Sequence, residues 1–563
     1  MSLVRAAARW YPWSVEPSAD LRRALAFLSV DVDAPAVVRA GYVAGAPVAL
    51  LAAGLGVLVG VPLWGVPGVG AAAWLATAHA VHRAPVVAAA AERTRAVGMA
   101  ADLVGLAVLR TRLDPTAERA ARFAARTGRG PLAASLSDHV RRARGRADSG
   151  LSGFADEWSA WFPALERAVA LVETGARAPP GERDRTLDRA MTAVLDGTRD
   201  RMAAFAEEVR PPATAVYAFG VLLPLALVGT VPAARVAGIR VTVPAVVVGY
   251  DVVLPVVLAA ASVRLLVRRP VAFPPPRVSR SHPDVPDGWR WAAAGAAAGA
   301  GAWLAATRLV APWSGPVAAV GAGVGVALFV RYRPTKRVRD RSRSAESRLD
   351  DALHLVGRRV VGGESVEAAL PAASEAIGGE TGRVFEDAAG VRRRLRTTVR
   401  GAFLGEHGAL ATLPSPRFRA AAALLGLAAR EGRPAGEAIV AMADHLDELR
   451  RVEKEGRREI ARVTGSLANT AAVFGPLVAG ATVALSASVA TGTAGTIGRG
   501  LPAAALGTAI GAYVLLMAAL LTALAAGLER GLDPALVGYR VGLALPTATA
   551  TYLVAVVGAR LVL

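Results

Sequence analysis

The fold is decided by residues 331–360, which read RYRPTKRVRDRSRSAESRLDDALHLVGRRV. They open a charged segment, residues 331–467, that lies between apolar runs rich in Gly, Ala and Val. Both ends of this segment are basic, and basic residues beside membrane spans accumulate in cytoplasmic loops. We therefore predict that residues 331–467 face the cytoplasm and that the neighbouring runs cross a membrane.

The composition is too apolar for a string of soluble domains. The 563 residues are 53% hydrophobic, the mean hydropathy is +0.40 and the formal net charge is +20. A positive charge also occurs in nucleic-acid-binding proteins, but the positive-inside rule accounts for it here, and we expect no nucleic-acid partner. The chain has no cysteine, which excludes disulfides, thiol nucleophiles and cysteine metal ligands.

About nine apolar runs approach the roughly 20 residues that a membrane-crossing helix needs. Long basic segments lie on one side of these runs and short connections with few cations on the other. This asymmetry predicts a multi-pass protein of the cytoplasmic membrane, with the N-terminus in the cytoplasm and the C-terminus outside.

These features divide the chain into eight parts, which alternate between membrane and cytoplasm. The parts are a cytoplasmic N-terminal segment (1–40), a transmembrane hairpin (41–82), a first cytoplasmic helical domain (83–211), a transmembrane pair (212–267), a basic Pro-rich cytoplasmic linker (268–290), a transmembrane hairpin (291–330), a second cytoplasmic helical domain (331–467) and three C-terminal transmembrane helices (468–563).

The two long charged blocks repeat one pattern at a separation of about 250 residues. Apolar residues recur in both blocks at helical spacing, and neither block shows the alternation typical of a strand. We therefore predict an all-α fold in which each block is a small antiparallel helical bundle. The matching positions are Met99 with Leu349, Leu103 with Leu353, Leu106 with Val356, and Gly128 with Gly378.

Helix ends can also be predicted in both blocks. Asp114 is expected to cap a helix that begins at Pro115, and Ser365 is expected to cap its counterpart. Each block then ends in a long amphipathic helix that leads back to the membrane. The two re-entry points are the pairs Phe219-Gly220 and Phe474-Gly475.

No motif in the chain indicates an enzyme. A phosphate-binding P-loop needs a Lys followed by Ser or Thr, but Lys336 precedes Arg337 and Lys454 precedes Glu455. Neither a His-Glu-x-x-His helix nor a Gly-x-Ser-x-Gly turn is present. We therefore predict no catalytic residue, no cofactor and no metal site.

Asp251 is the one acidic residue inside a predicted span. A carboxylate at that depth is costly unless it meets a partner or water, so it is a candidate intramembrane polar site. An ion or proton site there would indicate a transporter. A structural hydrogen-bond partner is the simpler interpretation, and we prefer it.

Pairs of glycines four residues apart recur through the predicted spans. Small residues at this spacing let helices approach closely in lipid. Contacts within one subunit explain the pairs most simply, and a homodimer is the alternative. The pairs are Gly41/Gly45, Gly56/Gly60, Gly295/Gly299, Gly321/Gly325, Gly507/Gly511 and Gly538/Gly542.

Clusters of arginine occupy matching places in the two blocks, far in sequence from the membrane. Charge runs are usually solvated faces, but this recurrence favours an exposed surface for an acidic partner or for polar headgroups. The candidate partner-binding residues are Arg141, Arg142, Arg144, Arg146, Arg392, Arg393, Arg394 and Arg396.

With two helical domains, each feeding directly into membrane spans at Phe219-Gly220 and Phe474-Gly475, the chain resembles the type II secretion system F domain family. These are the membrane platform proteins of type IV pili, Tad pili and the archaeal flagellum. The number of predicted spans is similar to that of the archaeal members of the family. The resemblance rests on architecture and covers most of the chain.

The resemblance implies a non-enzymatic platform at the base of a surface filament. Its implied partners are a cytoplasmic hexameric ATPase, which acts on the cytoplasmic domains, and the pilin-like subunits that are lifted out of the membrane lipid into the filament. Two other hypotheses stay open: a transporter that uses Asp251, and a membrane-anchored protein that binds nucleic acid or anionic lipid.

Overall fold

A computed structural model describes residues 6, 8–28, 30–58, 62–145, 149–236, 242–269, 278–279, 282–286, 288–431, 434–492, 502–531 and 533–562 of the protein. Every regular element in these ranges is helical, which confirms the all-α fold. Three short segments are π-helical, and each continues directly into an α-helix.

The N-terminal part contains a short helix and a long helical hairpin. The short helix is α1 (Ala19–Phe27), and the hairpin consists of α2 (Ala34–Leu58) and α3 (Val66–Val97). Gly45 lies against Trp74 in this hairpin, so the two backbones approach closely. A second hairpin of the same kind is formed by α13 (Arg290–Leu309) and α14 (Ser314–Glu346).

Each hairpin is followed by a helical bundle, and the two bundles have the same order of elements. We call residues 100–210 the first bundle and residues 349–463 the second bundle. The first contains α4 (Ala100–Leu113), α5 (Ala117–Thr127), α6 (Pro131–Arg142), α7 (Leu151–Ser159), α8 (Pro163–Arg177) and the start of α9 (Pro180–Tyr217). The second contains α15 (Leu349–Val361), α16 (Val366–Ile377), α17 (Gly379–Leu395), α18 (Val399–Leu404), α19 (Pro416–Glu431) and the start of α20 (Pro434–Asn469).

The long helices α9 and α20 both lead into a π-helical segment and then an apolar helix. The first segment, π1 (Ala218–Leu222), contains the Phe219-Gly220 pair, and the other, π3 (Thr470–Phe474), ends at Phe474, just before Gly475. The repeat therefore extends past the bundles. The remaining elements are π1 (Ala218–Leu222), α10 (Leu223–Val236), α11 (Val243–Val247), π2 (Val248–Val253), α12 (Leu254–Arg268), π3 (Thr470–Phe474), α21 (Gly475–Gly492), α22 (Ala503–Arg530) and α23 (Pro534–Val562).

Seven helices in the described part of the chain are long and apolar enough to cross a membrane, as expected for a membrane protein. The expected count of nine is not confirmed, because α3 and α13 are not among the seven. The seven are Ala34–Gly54, Pro180–Thr230, Val243–Val267, Ser314–Val361, Thr464–Ser488, Ala503–Arg530 and Pro534–Val562.

The charged blocks begin inside helices. The predicted boundaries at residues 83 and 331 fall within α3 and α14, which run without a break from apolar into basic sequence. Arginine is nearly as good a helix former as alanine, so a change in polarity need not end a helix. The membrane layer and the bundles are therefore joined by rigid segments.

Of the two predicted helix caps, one is confirmed and one is wrong. The Ser365 hydroxyl accepts a hydrogen bond of 3.2 Å from the Ala368 N–H and caps α16. Asp114, in contrast, follows the end of α4, and Thr116 is the residue before α5. Asp114 instead accepts hydrogen bonds from the side chains of Arg110 and Thr116, at 3.0 and 2.7 Å, and from Arg119 of α5, so side chains occupy its carboxylate.

One apolar core runs through both bundles. It contains Trp158 and Phe154 of the first bundle together with Phe385, Phe403 and Phe418 of the second, and all five side chains are fully buried. A separate apolar cluster fills the membrane layer around α22. The two bundles therefore form a single packed body beside the long apolar helices.

Candidate functional site

The two bundles meet where α9 and α20 cross. A Cβ at Gly456 would lie 2.0 Å from the Met202 methyl carbon, so the two helices pack closely at this point. Close by, the Arg199 guanidinium donates to Glu448 at 2.5 Å and lies 3.7 Å from Glu455. Both contacts join the two corresponding helices of the repeat, α9 and α20.

A cavity of about 610 Å³ lies between the bundles, next to this crossing. We call it the interbundle cavity. Its walls come from α4, α14, α19 and α20, so neither bundle alone would enclose it. The charged and titratable residues at its centre are Asp102, Glu346, Arg417, His445 and Glu453.

Arg417 interacts with all three acidic residues of this group. Its guanidinium donates to Glu453 at 2.8 Å and lies 3.9 Å from Glu346. Burial alone would lower the pKa of Arg417, but the carboxylates of Glu453, Asp102 and Glu346 outweigh burial and raise it. Arg417 is thus a permanent charge shared by acids from both bundles.

Two of the three acids around Arg417 have pKa values shifted in opposite directions. Burial raises the pKa of Asp102, and Arg417 only partly offsets this effect. For Glu453, burial also acts upward, but Arg417 and Arg457 outweigh it and lower the pKa. Burial thus favours the protonated form of Asp102, whereas the neighbouring arginines favour the charged form of Glu453.

His445 closes the cavity against the first bundle. A Cβ at Gly105 would lie 2.4 Å from its Nε2 atom, and the side chain is only 9% exposed. Its Nδ1 atom has no hydrogen-bond partner in the described part of the chain. Burial, and then Arg417, lower the pKa of His445 to about 3, so the ring is neutral at physiological pH.

The predicted arginine clusters lie at the ends of equivalent helices, α6 and α17. Arg141 is exposed and pairs with Asp138 at 2.6 Å, and Arg142 donates to the backbone of the same residue. Arg144 is exposed as well, whereas Arg146 lies outside the described residues. Arg393, Arg394 and Arg396 are exposed and Arg392 is half-buried, and Arg396 has a φ of 46° after the last turn of α17.

The structure does not bring the two clusters into one contact. Helix α6 packs against α3, α5 and α7, whereas α17 packs against α14, α16 and α18. No hydrogen bond or ion pair between described residues joins them. They are two basic patches, each at the same place on its own bundle.

Asp251 lies in the π-helical segment π2 and is half-buried. Its Oδ1 atom has no hydrogen-bond partner in the described ranges. The neighbouring Tyr250 donates to the Pro224 carbonyl at 2.7 Å, and its ring meets the edge of Tyr513 with centroids 5.4 Å apart. Tyr513 in turn donates to the carbonyl of Gly220 in π1.

The glycine pairs lie at contacts within the chain. Gly295 and Gly299 face α14, and Gly325 and Gly542 face each other's helices, with Gly325 also against Pro546. These contacts support the interpretation that the glycines serve packing inside one subunit. Of the pair Gly56/Gly60, Gly60 lies outside the described residues.

Sequence reasoning missed the interbundle charges. Asp102 carries a usable signal, because it is the one charged residue between Ala96 and Leu109, an otherwise apolar stretch of a charged block. Arg417 and Glu453 carry none, since each stands in a region with many other charges. Their importance comes from tertiary contacts alone.

Comparison of the chain with protein-family models, curated proteins and solved structures finds no match. The function must therefore be argued from the architecture and from the geometry of the sites.

Proposed function

We propose that this protein is the non-enzymatic platform of a type IV pilus-like or type II secretion-like machine in the cytoplasmic membrane. In this proposal a cytoplasmic assembly ATPase acts on the two bundles, and the movement carries pilin-like subunits from the membrane into a surface filament. The protein supplies the mechanical connection and the ATPase supplies the energy.

The observation that carries the proposal is the way in which each bundle is joined to the membrane. Helices α9 and α20 each run from a bundle, through a π-helical segment, toward an apolar helix. The two helices also cross each other at Arg199 and Glu448. A force applied to the packed pair of bundles would reach the membrane layer through both helices, because no loop intervenes.

The π-helical segments provide positions at which such a movement can act. A π-helical turn inserts an extra residue into an α-helix and often occurs at functional sites. Segments π2 and π3 pack against α22, with Tyr513 against π2 and Met517 against Gly475 beside π3. Segment π1 is joined to α22 by the hydrogen bond from Tyr513 to the Gly220 carbonyl.

The basic patches at the ends of α6 and α17 are the candidate ATPase-docking surfaces. Their side chains are exposed, apart from the half-buried Arg392 and Arg146, which lies outside the described residues. Two equivalent patches would suit a partner with several identical subunits, since each patch can meet the same acidic surface.

Affinity purification of the full-length protein from its native host tests the proposal. We expect co-purification of a secretion-type ATPase and loss of surface filaments on deletion of the gene. The triple variant Arg392→Gln/Arg393→Gln/Arg394→Gln should weaken ATPase capture, while a matched triple variant at exposed Arg122, Arg185 and Arg462 should retain it. Normal filaments in the deletion strain, with no second copy of the gene, would refute the proposal.

A transporter is the second candidate function, because the Oδ1 atom of Asp251 lacks a partner in the described ranges. The replacement Asp251→Asn separates the two functions. A transporter would lose proton- or ion-coupled uptake in proteoliposomes, whereas a platform should still assemble filaments.

A further inference from the structure

Four arginines lie together where the apolar helices end and the bundles begin. Arg269 directly follows α12, Arg343 lies on α14, Arg457 lies on α20 and Arg530 ends α22. We call these residues the membrane-edge cluster. Arg457 is within electrostatic reach of the other three, and Arg530 is within reach of Arg343. Four arginines from separate parts of the chain thus place their positive charges close together.

Arg269 is the most buried member of the membrane-edge cluster, at 4% exposure. Its Nη2 atom donates to the backbone carbonyl of Glu529 at 2.9 Å. Its Nε and Nη1 atoms have no hydrogen-bond partner among the described residues. A buried guanidinium with two unpaired N–H donors is unfavourable unless an acceptor from outside the chain forms hydrogen bonds with them.

The nearby carboxylates do not neutralise the cluster. Glu529 is shared between Arg530, at 3.3 Å, and Arg540, at 2.5 Å. Glu453 is shared between Arg457 and Arg417. Burial, and then the charge of Arg457, lower the pKa of Arg269 to about 10, with Glu529 acting in the opposite direction. Arg343 also lies 4.0 Å from Asp340. Because Glu529 and Glu453 are paired with arginines outside the cluster as well, the cluster keeps an excess of positive charge.

The interbundle cavity provides room beside the membrane-edge cluster. Arg343, Arg457 and Glu529 line it, and Lys454 and Arg458 add two more cations to the same wall. A tetrahedral oxyanion matches such a wall, because guanidinium groups donate to its oxygens in pairs and from several directions.

We propose that the membrane-edge cluster binds a phosphate group, carried by a lipid headgroup or by a free anion. The position favours a lipid, because Arg269 stands two residues beyond the candidate span Val243–Val267, at the depth of lipid phosphates. This site is distinct from the basic patches at the ends of α6 and α17, and it does not depend on the proposed platform function.

Thermal unfolding of the full-length protein in nanodiscs distinguishes the two sources of phosphate. One set of nanodiscs contains phosphatidylglycerol, a second contains the phosphate-free lipid digalactosyl diacylglycerol, and a third set of phosphate-free nanodiscs receives inorganic phosphate. Stabilisation by phosphatidylglycerol alone indicates a lipid headgroup, and stabilisation also by inorganic phosphate indicates a site for the anion itself. No stabilisation by either one would overturn the proposal.

Variants assign any stabilisation to this site. We expect Arg343→Gln/Arg457→Gln to weaken phosphate binding about a hundredfold, since each of the two lost charged hydrogen bonds is worth about tenfold. The matched variant Arg122→Gln/Arg185→Gln removes the same charge from exposed positions and should bind as the unchanged protein does. Arg269→Lys keeps the charge but loses the fork geometry, and it should bind less tightly. Equal binding by all of these variants would also overturn the proposal.

Discussion

Arg199 and Glu448 form an ion pair of 2.5 Å between the two helices that lead from the bundles toward the membrane. The residues are 249 positions apart, close to the spacing of the repeat. Equivalent helices, α9 and α20, thus contact each other through equivalent regions, as the two halves of an isologous dimer do. The repeat is therefore used to make an interface inside one chain.

The Arg199–Glu448 pair should show measurable but small coupling. Both side chains are about one-third exposed, so the pair is expected to contribute about 0.2–1 kcal/mol. A double-mutant cycle with Arg199→Ala and Glu448→Ala, read from thermal unfolding in detergent, measures this value. The exchanged variant Arg199→Glu/Glu448→Arg should recover part of the loss, and additive single effects would contradict the pairing.

Loss of Arg417 should be far more damaging. The replacement Arg417→Met leaves Glu453, Glu346 and Asp102 without their shared cation, and breaking a buried charge pair costs about 3–5 kcal/mol. We expect a large fall in the unfolding temperature, with Arg393→Met as the exposed control. Adding Glu453→Gln to Arg417→Met should restore part of the stability, and a further fall would show that Glu453 does not depend on Arg417.

Acid should destabilise the contact between the bundles through His445. Its pKa is lowered from 6.5 to about 3 in the folded protein, so below pH 6.5 only the unfolded chain binds the proton. Stability is then complete above pH 6.5 and falls by about 1.4 kcal/mol for each pH unit below it. Unfolding measured between pH 7.5 and 5.5 should therefore be less pH-dependent in His445→Gln, and an unchanged slope would contradict this assignment.

Asp102 should give the opposite slope. Because burial raises its folded pKa above the ordinary value of 3.8, the folded protein binds the proton more tightly than the unfolded chain does. The contribution of Asp102 to the free energy of unfolding is greatest at low pH and is lost as the pH rises through the folded pKa. Asp102→Asn should therefore change the unfolding temperature more favourably at neutral pH than at acidic pH. An equal change in the unfolding temperature at the two pH values would contradict the raised pKa.

Gly542 should not tolerate a side chain. A Cβ at this position would lie 2.5 Å from the backbone nitrogen of Phe329 and 2.9 Å from the Gly325 carbonyl oxygen, and neither atom can move alone. Gly542→Ala is expected to cost about 1–3 kcal/mol by forcing α14 and α23 apart. Gly301→Ala is the control, because its Cβ meets open space. A similar unfolding temperature for the two variants would contradict this packing.

The periodic features of the chain were predictable from the sequence. Helical spacing of Leu349, Leu353 and Val356 identified the core face of α15, and all three residues are fully buried. The glycine spacing predicted close helix contacts, although the partner helix of each glycine had to be seen in the structure. Periodicity depends on local geometry, so a single sequence is enough to reveal it.

Pairings across long separations were not predictable in this way. Asp102 and Arg417 meet across the interbundle cavity although they are far apart in the chain, and Arg339 and Asp533 form a bidentate pair at 2.5–2.6 Å between α14 and the start of α23. Many other charges in the same blocks were equally good candidates. The choice is made by how the helices pack, which composition and spacing do not determine.

The core shared by the two bundles has a consequence for biosynthesis. The face of α4 that contacts α20 stays uncovered until the ribosome has passed Leu113 and reached Pro434 and beyond. At the usual rate of about 5–20 residues per second, this interval lasts roughly 15 to 60 seconds, and several apolar helices emerge within it. During that time the first half of the newborn protein exposes an incomplete apolar surface beside the membrane, where chaperones or the insertion machinery must protect it from aggregation.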